Sequence, residues 1–295
     1  MPDINQQQPA VRRRRKRWGG VLVLAFLLTL VAAGVAAIQF AQQWMPVVFG
    51  DDGLIRYERS RRRMRAEYDL PMPGQPDLAR FSERLAERGL KEGAPVLVRI
   101  FKREFELELW MQRDGTFRRF ATYPICRWSG WLGPKLVEGD RQAPEGFYTV
   151  EASALNPNSR WFRSFNLGYP NAFDRAQGRT GSLIMVHGGC GSIGCFAMTN
   201  GQMAEIWRLV TAALGGGQKR FQVQVYPFRM SDAELKAHAN DADIAFWRDL
   251  KAGHDLFEAN AVPPRVSVCK GRYQFQAGTG ASPDSEPIEA GCPNG

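Results

Sequence analysis

The hydrophobic pattern along the chain changes period several times, and each change marks an element. Residues 18–38 form a run of about 21 positions without a charge, long enough to cross a bilayer as a helix. Residues 51–67 are charged and Arg-rich, and such runs commonly do no more than stay solvated, which predicts a helical, solvent-facing stalk. Pro71-Met72-Pro73-Gly74-Gln75-Pro76 reads as a linker. Leu78, Phe81, Leu85 and Leu90 then recur at roughly helical spacing, which predicts a short helix over 77–90.

From Pro95 the period becomes that of a strand. Val96, Val98 and Ile100 alternate with Leu97, Arg99 and Phe101, and residues 104–110 alternate acidic with apolar positions. Arg113-Asp114-Gly115-Thr116 is a hairpin signal ahead of a third strand over 117–125, so a β-meander opens a β-dominated domain. Residues 184–186 are a short apolar run. Beyond it Thr199-Asn200-Gly201-Gln202 signals a helix start, with Met203, Ile206, Trp207, Val210 and Leu214 as its buried stripe and Gly215-Gly216-Gly217 as its end. Phe221, Val223 and Val225 predict another strand, which leaves through Tyr226-Pro227-Phe228-Arg229-Met230. Ser231-Asp232-Ala233-Glu234 opens a short helix, residues 242–251 read as a further helix stopped near Gly253, and residues 265–269 and 272–275 read as a hairpin. The Gly-, Ser-, Pro- and acid-rich residues 277–295 read as a disordered tail.

Charge sharpens the reading of the N-terminus. The chain has 295 residues and a formal net charge of +9, much of it in residues 12–17 and 56–65. A basic cluster directly before an apolar span orients that span with its N-terminal side in the cytoplasm, which is a better account of the charge than nucleic-acid binding. The expected order is a cytoplasmic basic segment (1–17), a single-pass signal anchor (18–38), a stalk, linker and short helix (39–94), a folded domain on the far side of the membrane (95–276) and the tail. The competing reading is a cleaved signal, for which Val35-Ala36-Ala37 offers small residues. Export permits disulfides, so five cysteines suggest two bridges and one free thiol. Setting Cys195 aside, Cys126, Cys190, Cys269 and Cys292 can pair in three ways.

The chemistry concentrates in residues 184–198, which hold His187, Cys190, Cys195 and four glycines. A thiol is a nucleophile only as thiolate, so a catalytic cysteine needs a neighbouring imidazole or positive field. Glycines let the backbone turn back sharply and leave main-chain N–H groups to face a developing oxyanion. A zinc site built on His187, Cys190 and Cys195 with His238 or His254 is the rival, but the two cysteines have four residues between them and no second close ligand pair follows. No metal and no cofactor is expected.

A His-Gly ending an apolar strand, followed by Ser-x-Gly-Cys, resembles the L,D-transpeptidase (YkuD) family of peptidoglycan cysteine enzymes. The family signature has a longer spacer, a second histidine where Ile193 stands and an Arg or Asn near Ala197. The compact form here resembles the YafK-type branch, as do Cys126-Arg127-Trp128-Ser129-Gly130, Leu132-Gly133-Pro134-Lys135, Ala143-Pro144-Glu145-Gly146-Phe147-Tyr148, Asn171-Ala172-Phe173-Asp174-Arg175-Ala176 and Tyr226-Pro227-Phe228-Arg229-Met230. The resemblance implies a β-dominated α+β YkuD-type domain with added helices. It selects Cys195 over Cys190 as nucleophile, with His187 as its base, the Gly188 carbonyl orienting the ring, and Gly194 and Ser192 shaping the oxyanion turn. It implies an amidase acting on peptidoglycan, at the bond between diaminopimelate and a covalently attached lipoprotein. L,D-transpeptidation is the alternative, and a non-catalytic wall-binding module is the alternative of another class. Asn171, Asp174, Arg175 and Arg229 are candidates for holding the charged groups of diaminopimelate, against the plainer reading that they cap turns or pair within the fold.

Overall fold

The computed structural model describes residues 18–280 and 286–292. The expected cytoplasmic basic segment, 1–17, lies outside them. Helix α1 (Trp18–Glu67) contains the apolar span Gly20–Gln39, which has the length and composition to cross a membrane, and its helical geometry is broken at Gly50, where φ is 62°. The chain divides into two compact units between Leu54 and Ile55.

The second unit is built on three sheets. The meander appears as β1 (Val96–Phe101), β2 (Glu106–Arg113) and β3 (Thr116–Pro124), joined antiparallel. The other side of β1 pairs in parallel with β9 (Arg220–Tyr226), and β9 pairs antiparallel with β4 (Gly146–Glu151), giving the order β3-β2-β1-β9-β4. A second sheet runs β5 (Leu155–Asn156), β6 (Ser164–Asn166), β7 (Met185–His187), β8 (Phe196–Ala197). The third is the hairpin β10 (Arg265–Cys269) and β11 (Arg272–Gln276).

Helices fill the space between. A two-step turn and helix, 78–80 and α2 (Phe81–Glu87), occupies the stretch read as one helix. The five-residue α3 (Ala172–Ala176) lies between β6 and β7. Helix α4 (Asn200–Gly215) starts at a capping box of Thr199 and Gln202 and buries Met203, Ile206, Trp207, Leu209 and Val210. That stripe packs in one core with Val96, Val98 and Ile100 of β1, Phe165, Val186 and Phe196 of the second sheet, and Val223 of β9. Burying a side chain of this size contributes about 1.5–3 kcal/mol, so α4 fastens the second sheet, and with it the Cys195 segment, to the first. A smaller core joins Phe147, Tyr226 and Phe228 to α5 (Asp232–Ala237) and α6 (Ile244–Asn260).

Three expectations are revised. Gly253 does not stop α6; it lies inside the helix, where a Cβ would come within 2.5 Å of Phe147 and Phe275, so the glycine serves close packing. Residues 51–67 are not merely solvated: Ile55 is wholly buried, and Arg62 is buried with a hydrogen bond to the Ile125 carbonyl. Their arginines carry apolar stems and flat guanidinium faces, which a count of charges does not reveal. The tail differs from a disordered segment at 286–292, where Gly291 donates to the Val268 carbonyl, Val268 donates to Glu289, Ile288 is buried and Cys292 is bonded to Cys269.

Candidate active site

The four-stranded sheet places the reactive groups. In the parallel pair of β7 with β8, Val186 faces Phe196 and His187 faces Ala197. That register sets Cys195, just before β8, level with Met185. Its Sγ receives the Met185 N–H at 3.4 Å and lies 3.6 Å from the Leu183 carbonyl. Cys195 is the one free cysteine, since Cys126 is bonded to Cys190 and Cys269 to Cys292. Of the three possible pairings, this one leaves Cys190 oxidised and unable to serve as nucleophile or metal ligand. Among the described residues no group of three or more His, Cys, Asp or Glu side chains is placed to hold a metal ion.

His187 is 2% exposed, and its Nδ1 lies 2.6 Å from the Gly188 carbonyl. A carbonyl only accepts, so Nδ1 carries the proton and Nε2 is left as the basic atom. Burial lowers the His187 pKa from its ordinary value, and the Gly188 bond only partly opposes this. Burial likewise raises the Cys195 pKa, against the Met185 N–H and the positive charge of Lys135. Both shifts favour a resting pair of neutral thiol and neutral imidazole. Among the described residues the thiol has no hydrogen bond to the imidazole.

The turn between them is held by hydrogen bonds and by glycine. Ser192 donates its hydroxyl to the Cys195 carbonyl at 2.6 Å and accepts the Gly194 N–H at 3.3 Å. Gly194 has a φ of +137°, and a Cβ there would press on Ile184 at 3.3 Å. Because the Gly194 N–H is already used, the Cys195 N–H, given to no acceptor among the described residues, is the donor left open for an oxyanion.

Two further side chains bear on this pair, neither of them among the candidate site residues. Trp161 stacks on the His187 ring at 5.9 Å and 29°, and a Cβ on Gly189 would come within 2.8 Å of it. An aromatic residue in the loop before β6 thus covers the imidazole. Lys135 lies in a quoted motif but not among the candidate site residues. It is buried, bonded to the Val137 carbonyl at 2.8 Å and to Asp140 at 2.5 Å, with its charge acting on the thiol.

The four candidate diaminopimelate residues are engaged elsewhere. Asn171 and Asp174 form the capping box of α3; Asn171 also donates to the Phe147 carbonyl at 2.7 Å, and the wholly buried Asp174 pairs with Arg179 at 2.9 Å. Arg175 donates to the Pro170 carbonyl. Arg229 is bound between Glu106 and Glu108. His238 caps α5 stacked on Phe228 at 4.4 Å, and His254 lies on α6 beside Asp255 and Glu258.

A family model and two sequence relatives agree on one family. Residues 97–225 match the L,D-transpeptidase catalytic domain termed YkuD. The chain is 48% identical over 181 residues to YafK of Escherichia coli strain K12, whose name places it with the L,D-transpeptidases; the match covers 61% of this chain and 74% of that protein. YafK of strain O157:H7 matches equally. Among solved structures, the helical cell shape determining protein Pgp2 of Campylobacter jejuni aligns with 24% identity and a TM-score of 0.38 over 61% of this chain and 67% of Pgp2. Bd1075 of Bdellovibrio bacteriovorus aligns with 19% identity and a TM-score of 0.33 over 55% and 60%.

Proposed function

The chain belongs to the L,D-transpeptidase (YkuD) family of enzymes acting on peptidoglycan, and from that premise we propose that it is a cysteine amidase cutting the amide between diaminopimelate and a covalently attached lipoprotein. The observation that carries the reading is the free Cys195 thiol just before the strand that pairs with the strand of His187, whose Nδ1 is tied to the Gly188 carbonyl. The choice of amidase follows the compact His187-to-Cys195 spacing and its resemblance to the YafK-type branch.

The cycle uses only these groups. Cys195 attacks the scissile carbonyl while its proton passes to His187 Nε2, and the Cys195 N–H meets the oxyanion. Collapse breaks the C–N bond, with the His187 proton going to the leaving amine, and leaves an acyl thioester. Water then attacks, His187 takes its proton and returns it to the departing sulfur, and the acid product leaves. If a second amine replaces water, the same steps make a new amide, which is the transpeptidase alternative. The N-terminal apolar helix is read as a signal anchor that keeps the domain on the periplasmic side of the inner membrane.

The test incubates the full-length protein in detergent, beside its Cys195→Ala variant, with sacculi carrying covalent lipoprotein, and identifies the products by mass spectrometry. Cys195-dependent release of protein, leaving an intact diaminopimelate peptide, is the expected result. New diaminopimelate cross-links without release would establish the transpeptidase. Cys195-independent retention on the sacculus with neither product would establish the wall-binding module.

A further inference from the structure

The second half of α1 reaches the nucleophile turn through a continuous set of contacts. Arg59 lies with its guanidinium 4.5 Å from the ring of Trp128 and 5.2 Å from that of Trp131, and it donates to the Gly130 carbonyl between them. Arg56 stacks on Trp131 as well, at 4.8 Å. Cation–π contacts of this kind are attractive, the more so as the guanidinium is shielded from water. Arg59 therefore fixes the path of residues 128–131.

That loop touches the catalytic turn through Ser129, and Gln142, which binds the loop, passes close to Gly194. Ser129 lies 3.4 Å from the Ser192 hydroxyl, which has given its own proton to the Cys195 carbonyl and so accepts the Ser129 proton. Gln142 binds both the N–H and the carbonyl of Trp131, at 2.8 and 2.7 Å, and its own carbonyl is 3.7 Å from where a Gly194 Cβ would stand. On another side, the end of α1 and the linker after it, including Ala66, Leu70 and Met72, wall a cleft of about 450 Å³ whose other wall is Gly189, Cys190 and residues 199–201. Residues 55–78 thus meet the His187-to-Cys195 segment both through the Trp128–Trp131 loop and across this cleft.

We propose that Arg59 is a positioning residue for the acyl-transfer reaction, holding Cys195 and its N–H in register with His187 through the Trp128–Trp131 loop and Ser192, so that the arginine-bearing helix is part of the active site. The proposal rests on the function given above. Its test is arranged so that the two can fail separately.

The experiment compares full-length wild type, Arg59→Ala, Arg59→Lys and, as a control, Arg63→Ala, whose side chain is exposed on the same helix. Three quantities are read: kcat and KM on a soluble muropeptide carrying an amide-linked peptide, the rate of Cys195 alkylation by iodoacetamide, and Tm. Arg59→Ala is expected to lower kcat about tenfold at unchanged KM, since a small misplacement of the reacting groups is enough for that. Alkylation is expected to rise several-fold as the thiol loosens into solvent and its pKa falls back towards its ordinary value. Arg59→Lys recovers part of kcat, Arg63→Ala matches wild type, and Tm moves by only a few degrees. A kcat for Arg59→Ala within twofold of wild type, or a loss that simply tracks a falling Tm, overturns the proposal. If the wild type turns over no wall substrate, the function fails and the alkylation rates alone decide the positioning role. If Arg59→Ala does not fold, Trp131→Leu, which removes the half-exposed ring of the clamp, must reproduce the kcat loss or the proposal falls.

Discussion

Cys195 and His187 are both moved by burial, in opposite directions, and the signs fix how the enzyme responds to pH. The base works only as neutral imidazole; its pKa lies below the ordinary 6.5, so it stays competent into mildly acidic solution. The thiol pKa lies above the ordinary 9.0, so little thiolate exists at neutral pH, and in the proposed cycle the proton leaves as His187 takes it during attack. The acid limb of kcat/KM is therefore expected below pH 6.5, while alkylation of Cys195 by iodoacetamide, which follows free thiolate, has its midpoint above pH 9.0. Measuring both profiles on one preparation checks this, and a shared midpoint near neutrality would instead indicate a preformed thiolate–imidazolium pair. Ser192 supplies a second prediction. Its hydroxyl holds the carbonyl of Cys195 and the N–H of Gly194, so Ser192→Ala is expected to cost about tenfold in kcat with little change in KM. Cys195, His187, Gly188 and Ser192 were legible because they lie within nine residues, 187–195, of one motif. Trp161 was not, because its place over the imidazole is set by β6 pairing with β7, and nothing near it in sequence marks that role.

The disulfides and one buried ion pair show what single elements contribute. Cys126–Cys190 ties the end of β3 to the glycine turn across 64 positions, whereas Cys269–Cys292 ties β10 to the tail across 23. On loop-closure grounds each stabilises by about 3–4 kcal/mol, but only the first holds the catalytic segment. Replacing Cys126 and Cys190 together by Ser is expected to lower both the urea midpoint and kcat; replacing Cys269 and Cys292 lowers the midpoint and leaves kcat within twofold. The sequence could count these bridges but not pair them, since partners so far apart are chosen by the fold. Lys102 and Glu145 are both wholly buried, with Lys102 bound also to the Gly133 and Ala143 carbonyls and Glu145 to Gly133 N–H and Trp247. Desolvation pulls the Lys102 pKa down, and Glu145 opposes it. Glu145→Gln leaves that ammonium without its counter-charge and is expected to cost about 3–5 kcal/mol in urea unfolding. Adding Lys102→Met should restore part of the loss, because the stranded charge is then gone.

At the scale of the molecule, the meander and α4 were readable because alternation and helical spacing are local signals. The parallel pairing of β1 with β9 was not, because Val98 meets Val223 only after the second sheet and α4 have intervened, and no period in the sequence records that distance. Charge shows the same contrast. The net charge of +9 is a whole-chain quantity, yet the arginines of 56–65 divide their work: Arg56 and Arg59 stack on indoles, Arg62 is buried against Phe105, and Arg63 stays exposed. With Arg56, Arg59 and Arg62 engaged in the fold, the basic residues at 12–17 ahead of the Gly20–Gln39 helix are the main cluster left to orient an anchor by the positive-inside tendency. The full chain is accordingly expected in the membrane fraction, resistant to alkaline carbonate, with a C-terminal fusion active outside the cytoplasm and the N-terminus protected from external protease. Replacing Arg12 to Arg15 with Glu should weaken that orientation without touching Cys195 alkylation in detergent. Recovery of a soluble periplasmic form beginning just after Ala37 would show a cleaved signal instead, and the arginine-bearing helix would then travel with the released domain.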